Sequence, residues 1–96
     1  MKRYVFNKDC ELINNYNDNK YTFIIMNFET LKMLKINETS YHILDFLRRK
    51  KTPVKVKEIN EFVFERFKGF DASKIDEEVI KHLTELQNYN FIQELK

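Results

Sequence analysis

Among these 96 residues, the side chains whose types could do chemistry are His42 and His82, Cys10, the run Ser40, Tyr41, His42, and the acidic trio Asp76, Glu77, Glu78. A zinc site needs three or four Cys, His or carboxylate ligands brought close together. The two histidines stand 40 residues apart in helical stretches, and neither has the spacing of a metal motif around it. Ser40, Tyr41 and His42 are consecutive, so a helix fans them apart instead of turning nucleophile and base toward each other. The acidic trio opens a predicted helix, where the helix dipole favours negative charge without any acid–base role. With Gly69 as its one glycine, the chain has no loop that could bring successive backbone N–H groups onto a pyrophosphate. Cys10 has only Lys8 nearby to favour a thiolate and reads as structural. These residues point away from an enzyme and imply neither metal nor cofactor.

The elements that would position them follow from the hydrophobic period. "YVF" at 4–6 is a short strand candidate, and the Asn-rich second half of "NKDCELINNYNDNK" reads as a loop. "YTFIIMN" at 21–27 and "LKMLKI" at 31–36 are β-rich runs separated by "FET", which suggests a hairpin. From Asn37 onward the period is helical. Tyr41, Ile43, Leu44, Phe46 and Leu47 form one apolar face, and Asn37 or Thr39 can cap its start. "KEINEFVFERFK" at 57–68 repeats the pattern with Ile59, Phe62, Val63 and Phe67. In the stretch 71–90, Ser73 is the capping candidate and Ile75, Val79, Leu83 and Leu86 make a stripe. Asn90 suits a helix end that needs positive φ, and Phe91 and Ile92 then pack back. Pro53 biases residues 52–55 toward an extended link between the first two helices. The expected fold is α+β and winged helix-turn-helix-like, a three-stranded antiparallel N-terminal sheet followed by three helices, forming a single domain over residues 1–96.

Charge is unevenly spread behind a net +2: residues 48–57, "RRKKTPVKVK", hold six cations and no acid, whereas residues 71–96 hold six acids and three lysines. A winged-helix DNA-binding regulator is therefore an alternative, since the order of elements fits and the basic run is real. Its third helix would have to enter a dense phosphate field, yet that helix is acidic. The basic run sits at a helix–helix connection, either as a solvated loop or as a docking patch for an acidic partner. A lone cysteine, no apolar signal region and no 18-residue apolar span make a reducing cytoplasm the expected setting, with neither membrane nor nucleic acid as partner.

"NFETLKMLKINETSYHILDFL" resembles the strand–turn–strand–helix signature of the PqqD-like proteins. These are the recognition elements of pathways that make ribosomally synthesised, post-translationally modified peptides. Asn27, Thr30, Lys32, Ile36, Asn37, Thr39, Ile43 and Leu47 fall at the matching places. "DEEVIKHLTELQNYNFI" is similar to the family's closing helix, with Glu78, Val79, Ile80, Leu83, Leu86, Phe91 and Ile92 in register. The resemblance runs over about residues 4–92. Leu31 stands where the family has its turn glycine, Leu44 where it has tryptophan, and Asn90 where it has the glycine before the last apolar pair.

The resemblance implies a non-catalytic peptide binder whose third strand accepts the leader segment of a precursor peptide as an added antiparallel strand, in a groove walled by the third helix. An unpaired edge offers N–H and C=O groups to any extended chain, and side-chain pockets add selection. The expected peptide-binding residues are Leu31, Lys32, Met33, Leu34 and Lys35 on the strand and Glu78, Val79, Ile80, Leu83 and Thr84 on the helix. Strand alternation places Leu34 and Ile36 toward the helices and Met33 and Lys35 on the other face. On the third helix Val79 and Leu83 also serve as core, with Ile80 one step off the stripe. Such a chaperone would hand the precursor to a maturation enzyme, a radical SAM enzyme or a leader peptidase. An interaction domain of a toxin or phage system and a homodimer joined through the same edges are further alternatives.

Overall fold

The computed structural model describes residues 2–67, 69, 71 and 73–95. Its elements are β1 (Arg3–Phe6), β2 (Cys10–Asn17), β3 (Lys20–Asn27), β4 (Lys32–Ile36), α1 (Glu38–Lys50), β5 (Val54–Lys55), α2 (Val56–Arg66), α3 (Ile75–Asn88) and β6 (Ile92–Leu95). The expected α+β class with three helices and a three-stranded antiparallel sheet is present. The strands are distributed differently, however, in two sheets ordered β2-β3-β4 and β5-β1-β6.

Residues 10–17, half of which reads as loop in sequence, form the first strand of the larger sheet. Each pairs with β3, from Cys10 opposite Asn27 to Asn17 opposite Lys20. The hairpin closes through Asp18 and Asn19, both at positive φ (52° and 63°). Two consecutive left-handed residues match the right-handed twist of the flanking strands, and Asp and Asn reach that region more easily than most side chains. Cross-strand pairing then carries the asparagines of β2, whose own strand propensity is weak. The strand expected at 4–6 belongs to the smaller sheet, where β1 lies between β5 and β6. The stretch 52–55 is extended as expected at its end, with Tyr4 opposite Val54. Phe91 and Ile92 pack back as expected, and Ile92 begins an unforeseen strand paired to Phe6.

The helices follow their apolar periods. Asn37 caps α1 by accepting from the Ser40 amide at 2.8 Å, and Ile43, Leu44 and Leu47 are fully buried. α2 buries Ile59 and Val63 and stacks Phe62 on Phe46 with ring centroids 4.4 Å apart. α3 buries the expected stripe of Ile75, Val79, Leu83 and Leu86. Each such aliphatic side chain removed from water contributes roughly 1.5–3 kcal/mol before entropy is counted. Ser73 does not cap α3: the cap position is Lys74, which makes no side-chain bond to the helix. Ser73 is instead drawn into a turn in which its amide and hydroxyl both donate to Asp71 Oδ1, at 3.0 and 2.8 Å. Lys68 and Ala72, included in the predicted helical stretches, lie outside the described residues.

The far end of α3 is closed by Asn90 at φ 62°. The Phe91 amide donates to the Leu86 carbonyl (3.0 Å) and the Asn90 amide to that of Gln87 (2.9 Å), the paired bonds of a left-handed helix stop. The Asn90 carbonyl then collects three donors: Asn7 Nδ2 at 2.7 Å, Asn27 Nδ2 at 3.3 Å and, weakly, Cys10 Sγ at 3.9 Å. Asn27 is 1% exposed. Its Oδ1 accepts from the amides of Glu29 and Thr30 at 2.9 and 3.2 Å, shaping the turn into β4. One buried side chain therefore ties the β3–β4 turn to the end of α3. Removing it strands the two turn amides and takes one of three donors from the Asn90 carbonyl. Asn27→Ala is expected to lower unfolding free energy by about 2–4 kcal/mol, measured by urea denaturation. A loss below ~1 kcal/mol would show that water replaces these bonds.

Candidate functional site

β4 is an edge strand. It pairs with β3 along one side, from Lys32 opposite Asn27 to Ile36 opposite Phe23, and among the described residues no strand pairs with its other side. Alternation divides it as the sequence predicts: Leu34 and Ile36 are half-buried and pack against the core, whereas Met33 and Lys35 are exposed. Leu31 falls outside the strand. It holds the last turn position at φ 59° with 83% of its surface in water, so the place where the family pattern carries glycine keeps a glycine-like backbone.

Beside the C-terminal half of β4 lies a depression of about 180 Å³, lined by Leu34, Lys35, Ile36, Asn37, Ser40, Glu85, Leu86 and Tyr89. Its lining combines the aliphatic Leu34, Ile36 and Leu86 with one carboxylate, one ammonium and one phenol. Ser40 Oγ lies 3.0 Å from His82 Nδ1, so the start of α1 is fastened to α3 at the edge of this groove. Tyr89 is 43% exposed and stacks on the buried Phe91 ring, centroids 5.7 Å apart. The rotation of α3 decides which of its residues face the strand. Successive residues turn by roughly 100°, so Glu78, His82, Glu85 and Tyr89 share one flank, the one toward β4 and α1.

The expected site residues divide accordingly. Lys32, Met33, Leu34 and Lys35 lie on the open strand, and Leu31 beside it. Val79 and Leu83, 1% and 0% exposed, are core and support the groove from behind. Glu78 lies on the groove flank. Ile80 and Thr84 are turned roughly 100–180° away from His82, Glu85 and Tyr89, on the side where α3 meets α2 through the Asn60 Nδ2 bond to Asp76 Oδ1 (2.8 Å). The groove residues missed by sequence reasoning are Ile36, Asn37, Ser40, Glu85, Leu86 and Tyr89. A helical projection fixed on the core stripe separates the two flanks of α3, but only packing shows which one meets β4.

Cys10 is buried, and burial with the Asp9 carboxylate nearby pushes its thiol up to about 11. It stays protonated at neutral pH, as a structural cysteine should. Among the described residues no helix is long and apolar enough to cross a membrane.

The model of a known family, coenzyme PQQ synthesis protein D (PqqD), matches residues 22–92. No match to the chain is found among curated proteins. Two solved structures share its fold. TbiB1 in complex with the TbiA(beta) leader peptide superposes with a TM-score of 0.69 at 12% identity, over 93% of this chain and 94% of that one. Lasso peptide synthetase B1 complexed with the leader peptide superposes with a TM-score of 0.65 at 9% identity, over 94% and 96%.

Burial pushes the imidazole of His82 below its ordinary 6.5, against the opposing pull of the Glu85 and Glu78 carboxylates. His42 is lowered by burial and then by Arg66, with Glu38 pulling the other way. A folded-state value below the unfolded one means that the unfolded chain takes up protons first as pH falls. Stability is then flat above about pH 6.5 and declines from there down through the folded-state values. Denaturation at pH 7.5 and 5.5 is expected to show that decline. His82→Gln and His42→Gln should each flatten it, and an unchanged slope in both variants would refute the assignment.

Proposed function

This chain belongs to the PqqD family, whose model spans most of its length, and from that membership together with the open side of β4 we propose that it is a non-catalytic binder of precursor leader peptides. In this reading residues 1–96 work as one peptide-binding unit in the cytoplasm. The leader adds to β4 as an antiparallel strand, and the complex is presented to a separate maturation enzyme such as a radical SAM enzyme or a leader peptidase. The observation that carries the reading is the conjunction of an unpaired strand edge with a groove of mixed aliphatic and polar lining beside it. Main-chain bonds to the edge supply affinity whatever the guest sequence, and the groove supplies selection among side chains. β2 is the other edge of the same sheet, but β4 is the edge that borders the groove on α3. TbiB1 and lasso peptide synthetase B1, which share the fold, are each in complex with a leader peptide.

The chemistry of the groove follows from its lining. A space of about 180 Å³ accommodates one branched aliphatic or aromatic side chain between Leu34, Ile36, Leu86 and Tyr89. Glu85 and Lys35 at its rim then select polar neighbours of either sign. Lys32 and Lys35 also keep the bare edge from pairing with unrelated strands, since an exposed lysine is costly to cover in a sheet stack. Duplex DNA is the poorer ligand for this face. Glu78 and Glu85 lie on the flank of α3 that borders it, where phosphates would be repelled. Tethering a precursor raises its local concentration at the enzyme without any catalytic group on the tether.

Calorimetry with the leader of a precursor encoded beside this chain is expected to give micromolar or tighter binding, corresponding to about 8 kcal/mol or more. Tyr89→Ala should weaken it about tenfold, whereas Ile80→Ala should leave it within about twofold. The absence of heat at ~100 μM leader would defeat the reading. The reverse order of the two variants would move the groove to the other flank of α3.

A further inference from the structure

We propose that the cleft at the C-terminal end of α1 is a second docking site, built for an acidic segment of a partner protein. The cleft encloses about 650 Å³ and shares no lining residue with the groove beside β4. The groove borders α1 at Ser40 and the cleft at Arg48 and Lys51, roughly 12–16 Å further along the helix, so both can be filled at once. The site is independent of what β4 binds.

Two separated stretches of chain bring their cations to this one concavity. Lys8 comes from the β1–β2 turn, and Arg48 and Lys51 from the end of α1, facing Asp9 as the single carboxylate of the lining. Three members of the basic run have partners within α1. Arg48 and Arg49 both pair with Asp45, Arg49 Nε at 3.1 Å from Oδ2, and Lys50 lies 5.3 Å from the centroid of the Phe46 ring. Lys8 and Lys51 make no ion pair with any described residue. The cleft's lining includes the half-buried Val5 and Phe6. Unpaired ammonium groups around an apolar interior suit a peptide in which carboxylates alternate with apolar side chains. A nucleic-acid backbone offers charge to the rim and nothing to the interior.

Lys51 also provides a clean test. It sits at φ 61°, where glycine is the easier residue, so Lys51→Gly removes the cation while relieving the backbone. The probe is a fluorescein-labelled decapeptide of alternating glutamate and leucine, with a glutamine-for-glutamate version as control, titrated against the whole chain by anisotropy. The acidic peptide is expected to bind, to weaken at 0.5 M NaCl, and to shift the amide resonances of Asn7, Lys8 and Lys51. Lys51→Gly and Lys8→Gln should each reduce affinity about fivefold or more with no loss of Tm, and Tyr89→Ala should leave it unchanged. Equal binding of the glutamine peptide, shifts confined to β4 and α3, or tighter binding of a duplex DNA that the same two variants abolish would each overturn the proposal. Leader titration of the same variants keeps the two sites apart, since a failure here leaves leader affinity untouched.

Discussion

The carbonyl of Asn90 is the point on which this fold turns. It projects from a left-handed helix stop and accepts the amides of both Asn7 and Asn27, joining the end of α3 to the turn before β2 and to the last residue of β3. Buried amides have few ways to be satisfied, so once Asn27 is enclosed its partners fix the surrounding backbone closely. The smaller sheet, the larger sheet and α3 meet here. None of the three could shift without leaving a polar group unpaired.

That junction sets the geometry of the open strand. Asn27 holds the turn into β4 through two backbone amides, and the turn places Leu31 at positive φ before Lys32 begins the strand. Because α3 ends at the same junction, its last two turns lie alongside β4, and Leu86 and Tyr89 come to face Leu34 and Ile36. The contact between Ser40 and His82 fixes the rotation of α3 from the other end. A groove with two such anchors is largely formed before a ligand arrives, which limits the ordering cost of binding an extended chain.

The charge distribution divides the surface along α1. Its N-terminal end borders a groove whose α3 flank is acidic, and its C-terminal end carries the basic run beside the larger cleft. Part of that run is explained by the helix itself, since cations at the last turn complement the exposed carbonyls. Asp45 and Phe46 occupy three of its members. What lines the cleft besides Arg48, Lys51 with Lys8 from a distant turn, is assembled by tertiary structure and has no counterpart as a linear motif.

The amino-acid sequence by itself determined the three helices, a cap at Asn37 or Thr39, the stop at Asn90 and the alternation that sends Leu34 and Ile36 inward. Each of these is a local matter of period 2, period 3.6 or a single side chain reaching its own backbone. The order of strand, turn, strand and helix was legible for the same reason, and with it the family pattern centred on β4. Only the tertiary structure decided that residues 10–17 are a strand, because asparagines with weak intrinsic preference are held extended by cross-strand pairing to β3. It likewise decided that β1 leaves the larger sheet for β5 and β6, and that the flank of α3 bearing Glu85 and Tyr89, not the one bearing Ile80 and Thr84, meets the strand. Those outcomes depend on contacts between residues far apart in the chain. A helix's period defines its stripes, but which neighbour each flank will meet is fixed only when the whole chain packs.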